Sequence, residues 1–156
     1  MRKIRFALLV GVALALVSAS SALADTSGGG GADLGLEAVS INAGSVVGKT
    51  GEVTLTGSIG CTQDVEGFVY VDVAQVVGRF HTIRGWGETS FSCLAAGGSA
   101  AFSIPILADQ GKFAPGAVRV SAGADTGYCD VVGEVEECFY DSASFGPASI
   151  RIKGGK

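Results

Sequence analysis

Three features of the 156-residue chain predict its fold class. Short segments of period-2 apolar alternation recur from Leu34 to the C-terminus, Gly-rich turns separate them, and four cysteines can close two bridges that do not cross. No stretch carries a 3.6-residue apolar stripe long enough for a helix. Together they predict an all-β chain, an immunoglobulin-like β-sandwich of about seven strands with two disulfides.

The N-terminus reads as a segment to be removed. Met1-Arg2-Lys3-Ile4-Arg5 is basic, Phe6 to Ala19 is an almost unbroken apolar run, and Ala22-Leu23-Ala24 has the small-x-small form of a cleavage site. This is the pattern of a secretory signal peptide over residues 1–24. The 14-residue apolar run is shorter than the roughly 20 residues that cross a bilayer. No cysteine follows the cleavage site to take a lipid, and the chain ends Lys153-Gly154-Gly155-Lys156 without an apolar tail. The expected product is released and extracellular, with no stable membrane anchor. Cleavage removes Arg2, Lys3 and Arg5 but no acid, so 8 basic residues face 15 acidic ones and the formal charge becomes −7. That balance repels phosphate backbones, and nucleic acid is not an expected partner.

Residues 25–33 form a Gly-rich flexible leader around Gly28-Gly29-Gly30-Gly31. No strand precedes these glycines and no Gly-Lys-Ser/Thr follows, so they do not read as a phosphate loop. Residues 34–156 are long enough for one core and form a single β-sandwich domain.

Within that domain, Val39 and Ile41 begin a first strand, which Gly44 and Gly48-Lys49-Thr50-Gly51 break. Val53, Leu55, Gly57 and Ile59 then alternate with Glu52, Thr54, Thr56 and Ser58, and Cys61 falls on the apolar parity. After a polar turn from Thr62 to Gly67, Phe68 to Val77 is rich in β-formers. Gly78-Arg79 reads as the two-residue loop of a type II′ hairpin into Phe80–Trp86. That register sets Val77 opposite Phe80. It places Val69, Val71, Val73, Val77, Phe80 and Trp86 on the core face, and Phe68, Tyr70, Ala74, Val76, His81 and Ile83 on the other. Arg84 is then a misfit on the core face opposite Val73, which points to a bulge near Gly85 or a twisting edge.

Thr89 to Cys93 reads as a further short strand, with Cys93 on the face of Phe91. Ala100–Leu107 directs Phe102, Ile104 and Ile106 inward, and its outward Pro105 marks an edge, because proline donates no ladder hydrogen bond. Gly116–Ala124 directs Val118, Val120 and Ala122 inward, and Phe145–Lys153 does the same with Ala148, Ile150 and Ile152.

Four cysteines allow three pairings. Cys61 with Cys93 and Cys129 with Cys138 are the expected pairs, because each joins sequence neighbours and the loops do not cross. On the loop-entropy model the first contributes roughly 3–4 kcal/mol and the second somewhat under about 3. Zinc spacing is missing, and no cofactor is expected. Asp125, Asp130, Glu134, Glu136, Glu137 and Asp141 surround Cys129 and Cys138 and read as the solvated surface of a disulfide-closed excursion. Calcium is the sharper alternative, without the Asp-x-Asp-x-Asp-Gly pattern that would specify it. His81, the single histidine, has no Gly-x-Ser-x-Gly or other activating context. Catalysis is therefore not expected.

The candidate site is the second hairpin face, where Phe68, Tyr70, Val76, His81 and Ile83 occupy positions that a solvated sheet would leave polar. Such a face suits an extracellular protein partner, a second copy, or a small apolar ligand. Thr54-Leu55-Thr56-Gly57-x-Ile59-x-Cys61, Gln75-x-x-Gly78-Arg79 and Phe113-x-Pro115-Gly116, behind a signal peptide, resemble a group of uncharacterised secreted proteins of high-GC Gram-positive bacteria. The resemblance covers about residues 50–125 and implies a bacterial sandwich protein. In size, acidity and two-disulfide plan the chain is also similar to the neocarzinostatin-type chromophore-binding sandwiches, which implies small-ligand carriage. Those close two short loops, whereas the Cys61–Cys93 span here is long, and no residues carry over. The functional expectation is a secreted, non-catalytic binding domain, with a small-ligand or calcium-binding carrier as the alternative.

Overall fold

Alternating apolar residues become buried strands wherever a second sheet can cover them. The computed structural model describes residues 34–42, 46–47, 49–79, 81–94 and 98–154. The expected signal peptide and Gly-rich leader lie outside the described residues. The strands are β1 (Leu36–Ile41), β2 (Val46–Val47), β3 (Val53–Cys61), β4 (Val65–Val77), β5 (His81–Cys93), β6 (Gly98–Ile106), β7 (Gly116–Val132) and β8 (Val135–Gly154). One sheet has the order β1-β3-β6 and the other β8-β7-β4-β5. The two-residue β2 pairs antiparallel with β3 and parallel with β8, and so joins the sheets along one margin. This is the immunoglobulin-like sandwich of seven main strands that the alternation predicts.

Every second residue of β3 is buried, from Val53 through Leu55, Gly57 and Ile59 to Cys61. They meet Val69, Val71 and Val73 of β4, Val118 and Val120 of β7, and Phe145 and Ile152 of β8 in one core. Gly57 is required by close approach: a Cβ there would overlap both the Phe102 ring and the Ser40 carbonyl oxygen. Gly85 and Gly87 act similarly at the other margin, where a Cβ would overlap the Leu107 carbonyl oxygen or crowd Ile104. The Asp109 amide donates to the Arg84 carbonyl at 2.8 Å, so β5 and the end of β6 close that margin too. β6 pairs with β3 alone among the described strands, and its exposed Pro105 sits on the expected edge.

Both expected disulfides are present. Cys61–Cys93 links the ends of β3 and β5 across the two sheets, and Cys129–Cys138 links directly opposed residues of β7 and β8. Between β6 and β7 the chain returns over the sandwich edge, with Phe113 buried. The Gln75 side chain, only 4% exposed, holds this return. Its Nε2 donates to the Ala114 carbonyl at 2.6 Å, and its Oε1 accepts from the Ala114 amide at 2.9 Å. Two of the sequence fragments quoted above, those beginning at Gln75 and Phe113, therefore meet through one amide.

The hairpin register differs from the two-residue loop. Val77 pairs with His81, so the loop is Gly78-Arg79-Phe80, with Gly78 at φ 68°. Three-residue loops are the next most common hairpin connection, and the extra residue exchanges the two faces of the whole second strand. Trp86 pairs with Asp72 on the outer face and is 59% exposed, not a core residue. Arg84 pairs with Ala74 on the same outer face, which removes the misfit without a bulge. Val77 itself lies past the end of the core and is 43% exposed. The expected core position Phe80 lies outside the described residues. Thr89–Cys93 is not a separate strand but the end of an unbroken β5. The acidic excursion is also regular: the β7–β8 ladder continues through Cys129 and Cys138 to a turn at Gly133-Glu134.

Candidate binding face

The outer face of the four-stranded sheet is read most simply in rows across β5, β4 and β7. The ladder registers give Arg84–Ala74–Arg119, then Trp86–Asp72–Ser121, Glu88–Tyr70–Gly123, and Ser90–Phe68–Asp125. Phe68 is 62% exposed and Tyr70 41%. A Cβ on Gly123 would overlap the Tyr70 phenol, so the ring lies across the β7 backbone at that glycine. Tyr140 lies against Gly127 in the same way two rows further along β7. Partial desolvation, then the nearby charges of Asp125 and Asp72, raise the Tyr70 phenol above its ordinary value of 10.0. It therefore remains a hydrogen-bond donor through the neutral range.

Three of the residues expected at the site share this face: Phe68, Tyr70 and Val76, all exposed. His81 and Ile83 do not. The three-residue loop puts them on the core-facing parity, opposite Val77 and Gln75. Ile83 is half-buried against the core and lies near Gly111 of the β6–β7 return, while His81 is exposed beyond the core's end. In their place Trp86 joins the face from β5, and Tyr140 extends it on β8. The sequence carried a signal for Trp86: moving the loop by one residue takes Arg84 out of the core and brings Trp86 out with it. It carried none for Tyr140, whose strand reads as a loop rich in acids.

The face is polarised along its strands. Arg84 and Arg119 flank Ala74 at one end, and Arg151 is paired beyond them with Ala117. Glu66, Glu88 and Asp125 lie toward the other end. A shallow cleft of about 340 Å³ at the basic end is bordered by Arg84, Arg119, Asp72 and Trp86. A larger one of about 720 Å³ at the acidic end is bordered by Phe68, Phe91 and Tyr140 with Glu66 and Asp125, and no Lys or Arg lines it. Where the β4–β7 ladder ends, the Thr126 hydroxyl donates to the Glu66 carbonyl at 2.6 Å and closes the floor between the strands.

The acidic hairpin beyond this cleft divides its charges between two faces. Asp130 and Glu137 are directly opposed on one side, beside the stacked Tyr128 and Phe139 rings 5.3 Å apart, whereas Glu136 falls on the other. The Asp141 carboxylate is already occupied, accepting from the amides of Leu34 at 3.0 Å, Leu36 at 3.1 Å and Ser142 at 2.8 Å. It ties the start of β1 to β8. Among the described residues, Cys129, Glu136 and Cys138 converge closely enough to suit a metal, but both sulfurs are spent in the disulfide and offer no thiolate.

No family model, curated protein or solved structure matches the chain.

Proposed function

We propose that this protein is an exported, non-catalytic binding domain that engages its partner through the outer face of the β8-β7-β4-β5 sheet. The observation that carries the reading is the exposure of Phe68, Tyr70 and Trp86 on adjoining positions of one rigid sheet. Large aromatic side chains left on a flat, otherwise polar face are characteristic of interaction surfaces, where Trp and Tyr are enriched among the energetically dominant residues. The signal-peptide pattern and two disulfides favour an extracellular setting. Native mass spectrometry and crosslinking of the secreted protein test the reading. Associations present in the natural chain should be lost in a Phe68→Ser/Trp86→Ser variant of unchanged fold. If every association survives that change, the face is not the binding surface.

A second reading, small-ligand carriage, is favoured by the 720 Å³ cleft at the acidic end. Its volume falls within the roughly 300–1,000 Å³ of ligand pockets, and three aromatic rings border it. A carrier should show an added mass on the natural chain that Tyr140→Ser removes.

A further inference from the structure

We propose that the partner of this face is a second copy of the chain, packed antiparallel on it about a two-fold axis lying across the strands. The inference rests on the binding-face reading and adds the identity of the partner. Its basis is the self-complementarity of the rows. An axis between the Trp86–Asp72–Ser121 row and the Glu88–Tyr70–Gly123 row brings each row of one copy against the row equally far beyond the axis on the other, strand over strand. Arg119 then meets Asp125, Ala74 receives Phe68, and Arg84 meets Ser90. At the centre the Tyr70 phenol, which lies over Gly123, meets Ser121, and Trp86 meets Glu88. Extending the registers by one row sets Arg151 opposite Tyr140, whose ring leans over Gly127, and Val76 opposite Glu66.

Cation thus meets anion at Arg119 and Asp125, large meets small at Phe68 and Ala74, and the Tyr70 phenol meets a hydroxyl. Two-fold symmetry makes every match occur twice. The opposite placement, with the axis along the strands, stacks Arg84, Arg119 and Arg151 of both copies at one end and their acids at the other, which charge repulsion disfavours. A partner of uniform charge would likewise suit only half of the face. Aligned sheet packing within about 30° preserves these correspondences. Six rows across four strands give a plan area of roughly 600 Å² from strand spacing and rise. The relief of the exposed aromatic side chains brings that toward the about 800 Å² per partner of a standard interface.

The test is sedimentation of the secreted protein over a concentration series, at low and high salt, alongside Arg119→Asp and Asp125→Arg. Both side chains are exposed, and circular dichroism verifies that each variant folds. The expected result is a dimer that weakens with salt and is weakened about tenfold or more in either single variant. Mixing the two variants should restore it as a heterodimer, because each contact then again joins one Arg to one Asp. A natural chain that stays monomeric at its highest soluble concentration overturns the dimer. So does a dimer that neither charge reversal weakens. If the chain is monomeric but another association depends on Phe68 and Trp86, the dimer falls while the binding face stands. If no association depends on them, both fall.

Discussion

At the scale of single residues, Gln75 and Tyr70 show how one side chain sets local order. Gln75 satisfies both backbone groups of Ala114 from a buried position, and truncating it removes two hydrogen bonds together. Gln75→Ala should lower stability by about 1–3 kcal/mol in chemical denaturation, since each such bond contributes about 0.5–1.5. Gln75→Glu replaces the side-chain donor facing the Ala114 carbonyl and should restore little. Tyr70 is perturbed in proton affinity. Its phenol is held above 10.0 by partial desolvation and by Asp125 and Asp72, so the folded chain keeps this proton to higher pH than the unfolded chain does. Folding stability attributable to Tyr70 is therefore constant below pH 10 and falls as pH rises beyond it. A phenolate absorbance titration should show a component ionising above 10.0 that Tyr70→Phe removes.

At the scale of elements, the two disulfides do different work. Cys61–Cys93 spans 32 residues and joins the two sheets from within the core. Cys61→Ala/Cys93→Ala should cost on the order of 3–4 kcal/mol and lower the melting temperature of the whole domain. Cys129–Cys138 spans only 9 residues and clamps a hairpin that projects past the core with nearly every side chain exposed. Its removal should leave core amides protected from hydrogen exchange while protection from Thr126 to Tyr140 falls, because the directly opposed Asp130 and Glu137 already weaken that ladder. If both replacements lowered core protection equally, the hairpin would be part of the core's cooperative unit. The β4–β5 hairpin shows the reverse relation between loop and sheet. The length of its loop, changed by a single residue, decides which face of thirteen residues meets the core.

At the scale of the whole molecule, the two sheets are joined along both margins. β2 bridges the sheets along one margin, and Gly85 and Gly87 admit the β6 segment along the other. The outer face of β8-β7-β4-β5 carries the exposed Phe68, Tyr70 and Trp86. Its charge runs from Arg84 and Arg119 to Asp125 and Glu66, a gradient that exists only once three strands are in register.

Period and chemistry were legible without coordinates. Alternation located the strands, buried Val53, Leu55, Ile59, Phe102, Ile104 and Ile106, and set Pro105 on an edge, and non-crossing loops identified both cysteine pairs. These inferences concern contacts along one strand or closures of the chain, where local spacing suffices. The faces of Trp86, His81 and Ile83, the continuation of β7 and β8 past Asp125, and the row-by-row charge pattern were decided by tertiary structure alone. The physical reason is that strand side chains repeat every two residues: the alternation within β5 is the same for either loop length, and only pairing with β4 determines which half faces the core.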